Sequence, residues 1–146
     1  MNCFIRSGKT GQLHSAMMMA RFLIEDWLIF FNKYNLKATF HLNSGTLDTE
    51  GFIKTQELKS LYQGHEIACH GVAHEYPTHL SQERLVQEFY QDRCSLERET
   101  GRIIRGCSYA FGEYDENVIS THQKPGALYT AGQWSLQAVF ALPKDP

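Results

Sequence analysis

The segment GHEIACHGVAH, residues 64–74, decides how this chain folds. The run from His65 to Cys69 follows a glycine that ends a predicted helix, and its length and composition are typical of a short strand. Two histidines, His70 and His74, come directly after that strand. Their i, i+4 spacing directs two imidazoles at one ion if the chain turns helical there. The segment therefore predicts a strand that carries a pair of histidines at its carboxyl end.

Helix and strand patterns alternate on both sides of this segment. On its N-terminal side, residues 27–35 have apolar positions at helical spacing, and Leu36 to Leu42 is a compact run typical of a buried strand. On its C-terminal side, Ser81 is a good N-cap for a long helix that Gly101 ends, and Ile103 to Tyr109 is a third strand. Strands that alternate with helices indicate a parallel sheet with right-handed crossovers. In such a fold the active site belongs at the carboxyl ends of the strands.

Two further helices complete the alternation, one over Lys54 to Tyr62 and one that Asp115 caps. No repeat or linker divides the 146 residues, so one domain is the simplest organisation. Residues 1–26 show neither the helical nor the strand period, and residues 120–146 have no clear pattern. The sequence therefore predicts a single α/β domain over residues 1–146.

Composition and charge exclude several classes of protein. The net charge is −2 and the basic residues are scattered, which does not favour nucleic acid as a partner. The longest apolar stretch, Phe22 to Phe31, contains Glu25 and Asp26 and is too short to span a membrane. The N-terminus has no apolar core or cleavage site of a signal peptide, so as written the chain is expected to be cytoplasmic. The four cysteines form no CxxC pair and are expected to be reduced thiols.

A catalytic divalent ion on the histidine pair requires a third protein ligand and an open position for water. In a site of two histidines and one carboxylate, the carboxylate usually comes from a different strand end. Asp48 and Glu50 follow the first predicted strand, and Glu113 and Asp115 follow the third. Each is better explained as a solvated loop acid or a helix cap, so the sequence leaves the third ligand open.

Four blocks of sequence follow one another along the chain: ATFHLN at 38–43, GHEIACH with the second histidine at 64–74, YAFG at 109–112 and YD at 114–115. In these blocks and their order the chain resembles the polysaccharide deacetylases with a NodB-like homology domain. The best match covers residues 27–119. The resemblance implies a distorted or incomplete (β/α) barrel of parallel strands. It also implies a divalent metal, commonly zinc, on His70 and His74, and an N-acetylated or O-acetylated polysaccharide or oligosaccharide as substrate.

The YAFG block matches a family motif in which a backbone N–H donates to the tetrahedral oxyanion. The resemblance assigns that catalytic role to the N–H of Phe111. Tyr109 is the candidate substrate-binding residue, with its ring stacked on a sugar. Ala110 stands where the family usually has Pro, and Ser108 stands where many members have Arg. Because Ala110 and Ser108 depart from the family's pattern, the resemblance does not specify how a carboxylate near this motif is oriented.

Two functional parts of the family have no counterpart in this chain. The family's first motif is Asp-Asp-Gly, in which the first Asp acts as base and the second binds the metal. About twenty residues before the ATF strand, this chain instead reads AMMMA, residues 16–20. A late histidine that protonates the leaving amine is expected beyond Pro146. The resemblance therefore implies a truncated deacetylase domain with impaired turnover, since loss of a general base costs roughly a hundred- to ten-thousand-fold in rate.

Two other functions are compatible with the histidine pair. The first is a non-catalytic remnant that still binds a metal or a carbohydrate. The second is a metallopeptidase, but Gly71 occupies the position of the glutamate that acts as base in HExxH sites. We rank the deacetylase first, the remnant second and the metallopeptidase last.

The missing motif is encoded one reading frame away. Codons for Ala-Met-Met-Met-Ala read GCN ATG ATG ATG GCN, and reading from the third base of the Ala16 codon gives NAT GAT GAT GGC. That frame encodes Asp-Asp-Gly after one variable residue. Our hypothesis is that residues 1 to about 25 are an out-of-frame translation joined to an in-frame remainder. The alternative is a divergent N-terminus in which the three methionines arise by coincidence.

Resequencing the gene tests this frameshift hypothesis. We expect reads with a one-base shift that places the Asp-Asp-Gly codons in frame with Trp27 and the strand that follows it. Reads that uniformly support the present frame from Met1 onward would show that the N-terminus is a divergent one.

Overall fold

The computed structural model describes residues 12–15, 21–122 and 129–131. Within these residues, five parallel strands form one sheet in which the spatial order equals the chain order. They are β1 Gln12–Ser15, β2 Lys37–Leu42, β3 Glu66–Cys69, β4 Gly106–Ser108 and β5 Tyr129–Ala131. Within the described ranges the sheet is open, with β1 and β5 at its edges. The predicted parallel sheet is confirmed.

Helices connect the strands. They are α1 Arg21–Lys33, α2 Leu58–Leu61, α3 Gln82–Thr100 and α4 Glu116–His122. Short 3-10 turns occupy Ser44–Thr46, Thr55–Glu57, Pro77–His79 and Ala110–Gly112. In the part of the chain that the structure describes, no helix has the length and apolar character needed to cross a bilayer.

Helix α3 begins and ends where its caps predict. The Ser81 side chain accepts a hydrogen bond from the backbone N–H of Arg84 at 3.3 Å, which satisfies one of the free donors of the first turn. Gly101 adopts a left-handed conformation with φ of 67°, and its N–H donates to the carbonyl of Glu97 at 2.8 Å. Only glycine adopts that conformation without strain. These caps fix both ends of the longest helix, on which the site depends.

The core lies between the helices and the sheet. Phe31 of α1 contacts Phe40 of β2 edge-on, with ring centroids 6.0 Å apart, and Phe40 contacts Tyr62 at 5.0 Å. From α3, Leu85 and Leu96 are fully buried in the same cluster. This burial of large apolar side chains is the main stabilising term of the fold.

Element boundaries differ from the sequence predictions at several places. Helix α1 starts at Arg21, six residues before the predicted start at residue 27. Ile24, Leu28 and Phe31 form the buried face of α1, so its helical period begins before residue 27. Strand β1 and the start of α1 both lie within residues 1–26, where a four-residue strand is too short to show a period.

Two other predicted elements are shorter than expected. The third predicted strand, Ile103 to Tyr109, contains only the three-residue strand β4. The predicted helix over Lys54 to Tyr62 is a 3-10 turn followed by the single turn of α2. The prediction of a single domain over residues 1–146 stays a prediction, because the structure describes only part of that range.

Substitution of Leu96 tests the packing of α3 on the sheet. Leu96 is 0% exposed, so we expect Leu96→Ala to lower the free energy of unfolding by about 2–5 kcal/mol through lost burial and the cavity left behind. Val86 lies on the same helix with 44% of its surface exposed, so Val86→Ala should change the free energy of unfolding by less than about 0.5 kcal/mol. Urea unfolding followed by circular dichroism measures both. Equal effects of the two substitutions would contradict this packing.

Candidate functional site

The carboxyl ends of β2, β3 and β4 meet at one edge of the sheet, because all three strands are parallel. The strands end at Leu42, Cys69 and Ser108. The residues that follow each strand therefore come together, as the alternating pattern predicts. This edge holds the histidine pair and the YAFG turn.

The structure brings the two histidines together. The Nε2 atoms of His70 and His74 are 3.1 Å apart. The other ring nitrogen of His70, Nδ1, lies 3.1 Å from the carbonyl oxygen of Ser108 and 2.6 Å from its hydroxyl. When Nδ1–H donates to that carbonyl, Nε2 carries the lone pair that a metal ligand needs, and this atom lies within hydrogen-bonding distance of Nε2 of His74. Ser108 thus orients the imidazole of His70.

Burial keeps this pair uncharged. His70 is 7% exposed, and its desolvation, together with repulsion by His74, lowers its pKa to about 4. Partial burial also lowers the pKa of His74, while the charge of Glu88 opposes that shift. Both imidazoles are therefore neutral near pH 7, which is the form that binds a metal.

The geometry of the pair fits two positions on one divalent ion. Two Zn–N bonds of about 2.0–2.1 Å at a tetrahedral angle place their nitrogens about 3.4 Å apart. The observed separation of 3.1 Å is close to that value. Within the described ranges, the histidines, cysteines and acids form no group of three that could hold an ion. The AMMMA segment, residues 16–20, lies outside the described residues.

A loop with left-handed residues, and not a helical turn, produces this convergence. Gly71 has a φ of 85°, and a Cβ atom there would lie 2.9 Å from Oε1 of Glu88, so this position requires glycine. His74 has a φ of 57°, which costs a non-glycine residue of the order of 1–3 kcal/mol. The surrounding contacts must therefore hold this loop in place.

Two buried acids of α3 supply these contacts. Asp92 is 0% exposed; its carboxylate accepts the N–H of His70 at 2.9 Å and that of Ser44 at 2.7 Å. Glu88 is 2% exposed and accepts the N–H of Ala73 at 2.6 Å. Sequence reasoning missed both acids. Their signal is the placement of two charged residues, four apart, on the same buried face as Leu85.

The pKa of Asp92 is shifted mainly by the removal of its carboxyl group from water. Burial raises its pKa to about 7, while hydrogen bonds from the Ser44 side chain and from the backbone N–H groups of Ser44, His70 and Gly71 oppose the rise. Removal of a carboxyl group from water is costly unless it is hydrogen-bonded, and these donors compensate for that cost.

Asn43 holds the same loop from the side of β2. Its Nδ2 atom donates to the carbonyl oxygens of His70 at 2.8 Å and Gly71 at 2.7 Å. The residue belongs to the ATFHLN block, but sequence reasoning gave it no role. The loop is thus held through its carbonyl groups as well as its N–H groups.

The YAFG turn lies against the histidines. Phe111 has a left-handed backbone with φ of 59°, and its ring centroid is 4.6 Å from that of His74. Its ring is 53% exposed and stacks on Tyr76 at 3.8 Å with an interplanar angle of 5°. Tyr109 is only 7% exposed and packs edge-on against Phe89. The role of Tyr109 in substrate binding stays a prediction; its ring is buried in this structure and offers little surface on which a sugar could stack.

Three of the acids considered as third ligands are already engaged elsewhere. Asp48 accepts hydrogen bonds from the side chain and N–H of Thr55, which lower its pKa. Glu113 accepts the hydroxyl of Thr78 at 2.9 Å. Asp115 accepts the N–H of Val118 at 2.8 Å, which confirms it as the cap of α4. Their interpretation as loop and capping acids is therefore supported.

The chain is similar in fold to several solved deacetylase structures. Streptococcus pyogenes deacetylase PplD in complex with acetate matches at a TM-score of 0.69 and 16% identity, over 74% of this chain and 49% of that one. A CE4 family pseudoenzyme from Bacillus anthracis matches at 0.67 and 16%, over 82% and 41%. A mutant of peptidoglycan deacetylase PdaC from Bacillus subtilis matches at 0.64 and 16%, over 81% and 55%. The chain thus spans about half the length of these relatives, and the predicted incomplete (β/α) barrel is confirmed.

Sequence comparison gives the family. No curated protein matches the chain. The family model described as "Polysaccharide deacetylase" matches residues 21–130, which is most of the chain and includes both histidines, the acids of α3 and the YAFG turn. The chain therefore belongs to the polysaccharide deacetylase family.

Proposed function

We propose that this chain is a metal-dependent hydrolase domain that removes acetyl groups from N-acetylated or O-acetylated sugar polymers. The observation that carries the proposal is the 3.1 Å separation of the Nε2 atoms of His70 and His74 at the carboxyl edge of the sheet. Membership of the polysaccharide deacetylase family supports the class of reaction. A divalent ion, for which we propose zinc, supplies Lewis acidity toward the acetyl carbonyl and lowers the pKa of water toward about 7.

The residues of the chain would share this work. His70 and His74 would hold the ion, since both are neutral near pH 7 and Ser108 fixes the ring of His70. We assign to the backbone N–H of Phe111 the stabilisation of the oxyanion. Two observations support that assignment: Phe111 lies beside His74, and its left-handed backbone is a strained conformation of the kind that clusters at active sites.

We further propose that turnover by this chain is slow. Where the resemblance expects Asp-Asp-Gly, the sequence has Ala16 to Ala20 with three methionines between them. A missing general base reduces a rate by roughly a hundred- to ten-thousand-fold. The competing function is a metal- or carbohydrate-binding remnant without catalysis. One structurally similar protein is described as a pseudoenzyme, which makes this second function a concrete alternative.

Metal titration tests the role of the histidine pair. We expect the purified chain to bind one Zn²⁺, and His70→Ala or His74→Ala to weaken the affinity at least about tenfold, because each removes one of two converging ligands. The matched control is His79→Ala, since His79 is an exposed histidine on the neighbouring 3-10 turn and should leave the affinity unchanged. Isothermal titration calorimetry measures all four proteins. Equal affinity of the wild type and both alanine variants would exclude the pair as the metal site.

Acetate release tests the reaction. With acetylated chitin oligosaccharides and Zn²⁺, we expect release that stops on chelation and is absent from the His70→Ala variant. The rate should be roughly a hundred- to ten-thousand-fold below that of a family member with an intact Asp-Asp motif, because the general base is missing. A chain that binds zinc and releases no acetate would be the binding remnant. Release at the rate of the intact member would contradict the proposed impairment.

A further inference from the structure

We propose that Asp92 and Glu88 of α3 are positioning residues that set the backbone of residues 70–73 so that the imidazoles of His70 and His74 meet. The proposal rests on the proposed function, because it assigns these acids to the same metal-binding element. The hydrogen bonds of both side chains go to N–H groups of the loop backbone, and not to the imidazole nitrogens that face each other. The charge of Glu88 additionally opposes the lowering of the His74 pKa.

Asp92 joins two loops at the edge of the sheet. One carboxylate oxygen, Oδ1, accepts the N–H of Ser44 after β2, and the other, Oδ2, accepts the N–H of His70 after β3. The His70 N–H is shared with the carbonyl oxygen of Leu42 at 3.0 Å. Because both oxygens of Asp92 are used as acceptors, a carboxylate fits this position and an amide does not. An asparagine there would direct its NH₂ group at a backbone N–H.

Glu88 acts one helical turn earlier and holds the next part of the loop. Its Oε1 atom accepts the N–H of Ala73, and its backbone carbonyl accepts the N–H of Val72 at 3.2 Å. Its other oxygen, Oε2, lies 3.5 Å from a guanidinium nitrogen of Arg84. Only one oxygen is therefore required by the loop, so a glutamine, unlike an asparagine at position 92, retains the needed acceptor.

Together these hydrogen bonds fix the position of the loop backbone relative to α3. The spacing of four residues between the acids places both on one face of α3, where they meet the N–H groups of His70 and Ala73, three residues apart in the loop. Hydrogen bonds to carboxylates are stronger than those to neutral acceptors, which suits a loop that holds His74 in a left-handed conformation. The absence of a Cβ atom at Gly71 lets the loop approach the Glu88 side chain.

The loop uses both carboxylate oxygens of Asp92 but only one of Glu88, and amide substitutions at the two positions test this difference. We expect Asp92→Asn and Glu88→Ala each to weaken Zn²⁺ affinity by about 10–100-fold, as loss of outer-shell support does in metal sites. Glu88→Gln should recover most of the affinity that Glu88→Ala loses, since it keeps the acceptor for Ala73. The matched control is Glu83→Gln, which removes an exposed acid from the first turn of the same helix and should leave affinity unchanged.

A second measurement does not depend on metal. In the metal-free protein, amide hydrogen exchange followed by NMR should be at least about tenfold faster at His70 in Asp92→Asn and at Ala73 in Glu88→Ala, with core amides of β2 unchanged. Faster exchange confined to the loop, together with weaker Zn²⁺ binding, supports the proposal. Unchanged loop exchange, or unchanged zinc affinity in both variants, would overturn it. If the wild type binds no zinc, the proposed function fails, and loop exchange still decides whether the acids position the loop.

Discussion

The candidate site depends on hydrogen bonds between two buried carboxylates of α3 and the backbone of the loop after β3. Without them, the loop would lose the contacts to its N–H groups that oppose the strain of the left-handed His74 and would keep only those of Asn43 to its carbonyl groups. The carboxylates in turn depend on the loop, because a buried acid without donors is costly. Helix α3 and the loop therefore stabilise each other, and the caps at Ser81 and Gly101 set where the acids fall.

Much of the fold could be predicted from the sequence because its signals are local. The caps of α3 and the cap of α4 at Asp115 are decided by a few neighbouring residues. The pairing of His70 with His74 was also accessible, from their spacing and the resemblance to a known family. The start of α1 was missed because both faces of this helix carry apolar residues, such as buried Ile24 and exposed Phe30, so spacing alone does not decide which face is buried.

The rest of the site could not be read from sequence because it depends on contacts between distant segments. Asp92 meets the His70 N–H across 22 residues of chain, and Asn43 meets the His70 carbonyl across 27. The burial of Tyr109 has the same origin, since the ring packs on Phe89 of α3. Phe111 of the YAFG block lies beside His74, and which aromatic ring of the block faces solvent is set by how α3 packs under the turn.

The central claim is that His70 and His74 converge on one cation. X-ray absorption at the zinc edge of the loaded protein tests it directly, because the fine structure reports the number and type of nearest atoms. The account predicts two imidazole nitrogens at about 2.0–2.1 Å, with one of them lost in His74→Ala. A spectrum with sulfur neighbours at about 2.3 Å, or one with the same imidazole count in that variant, would contradict it.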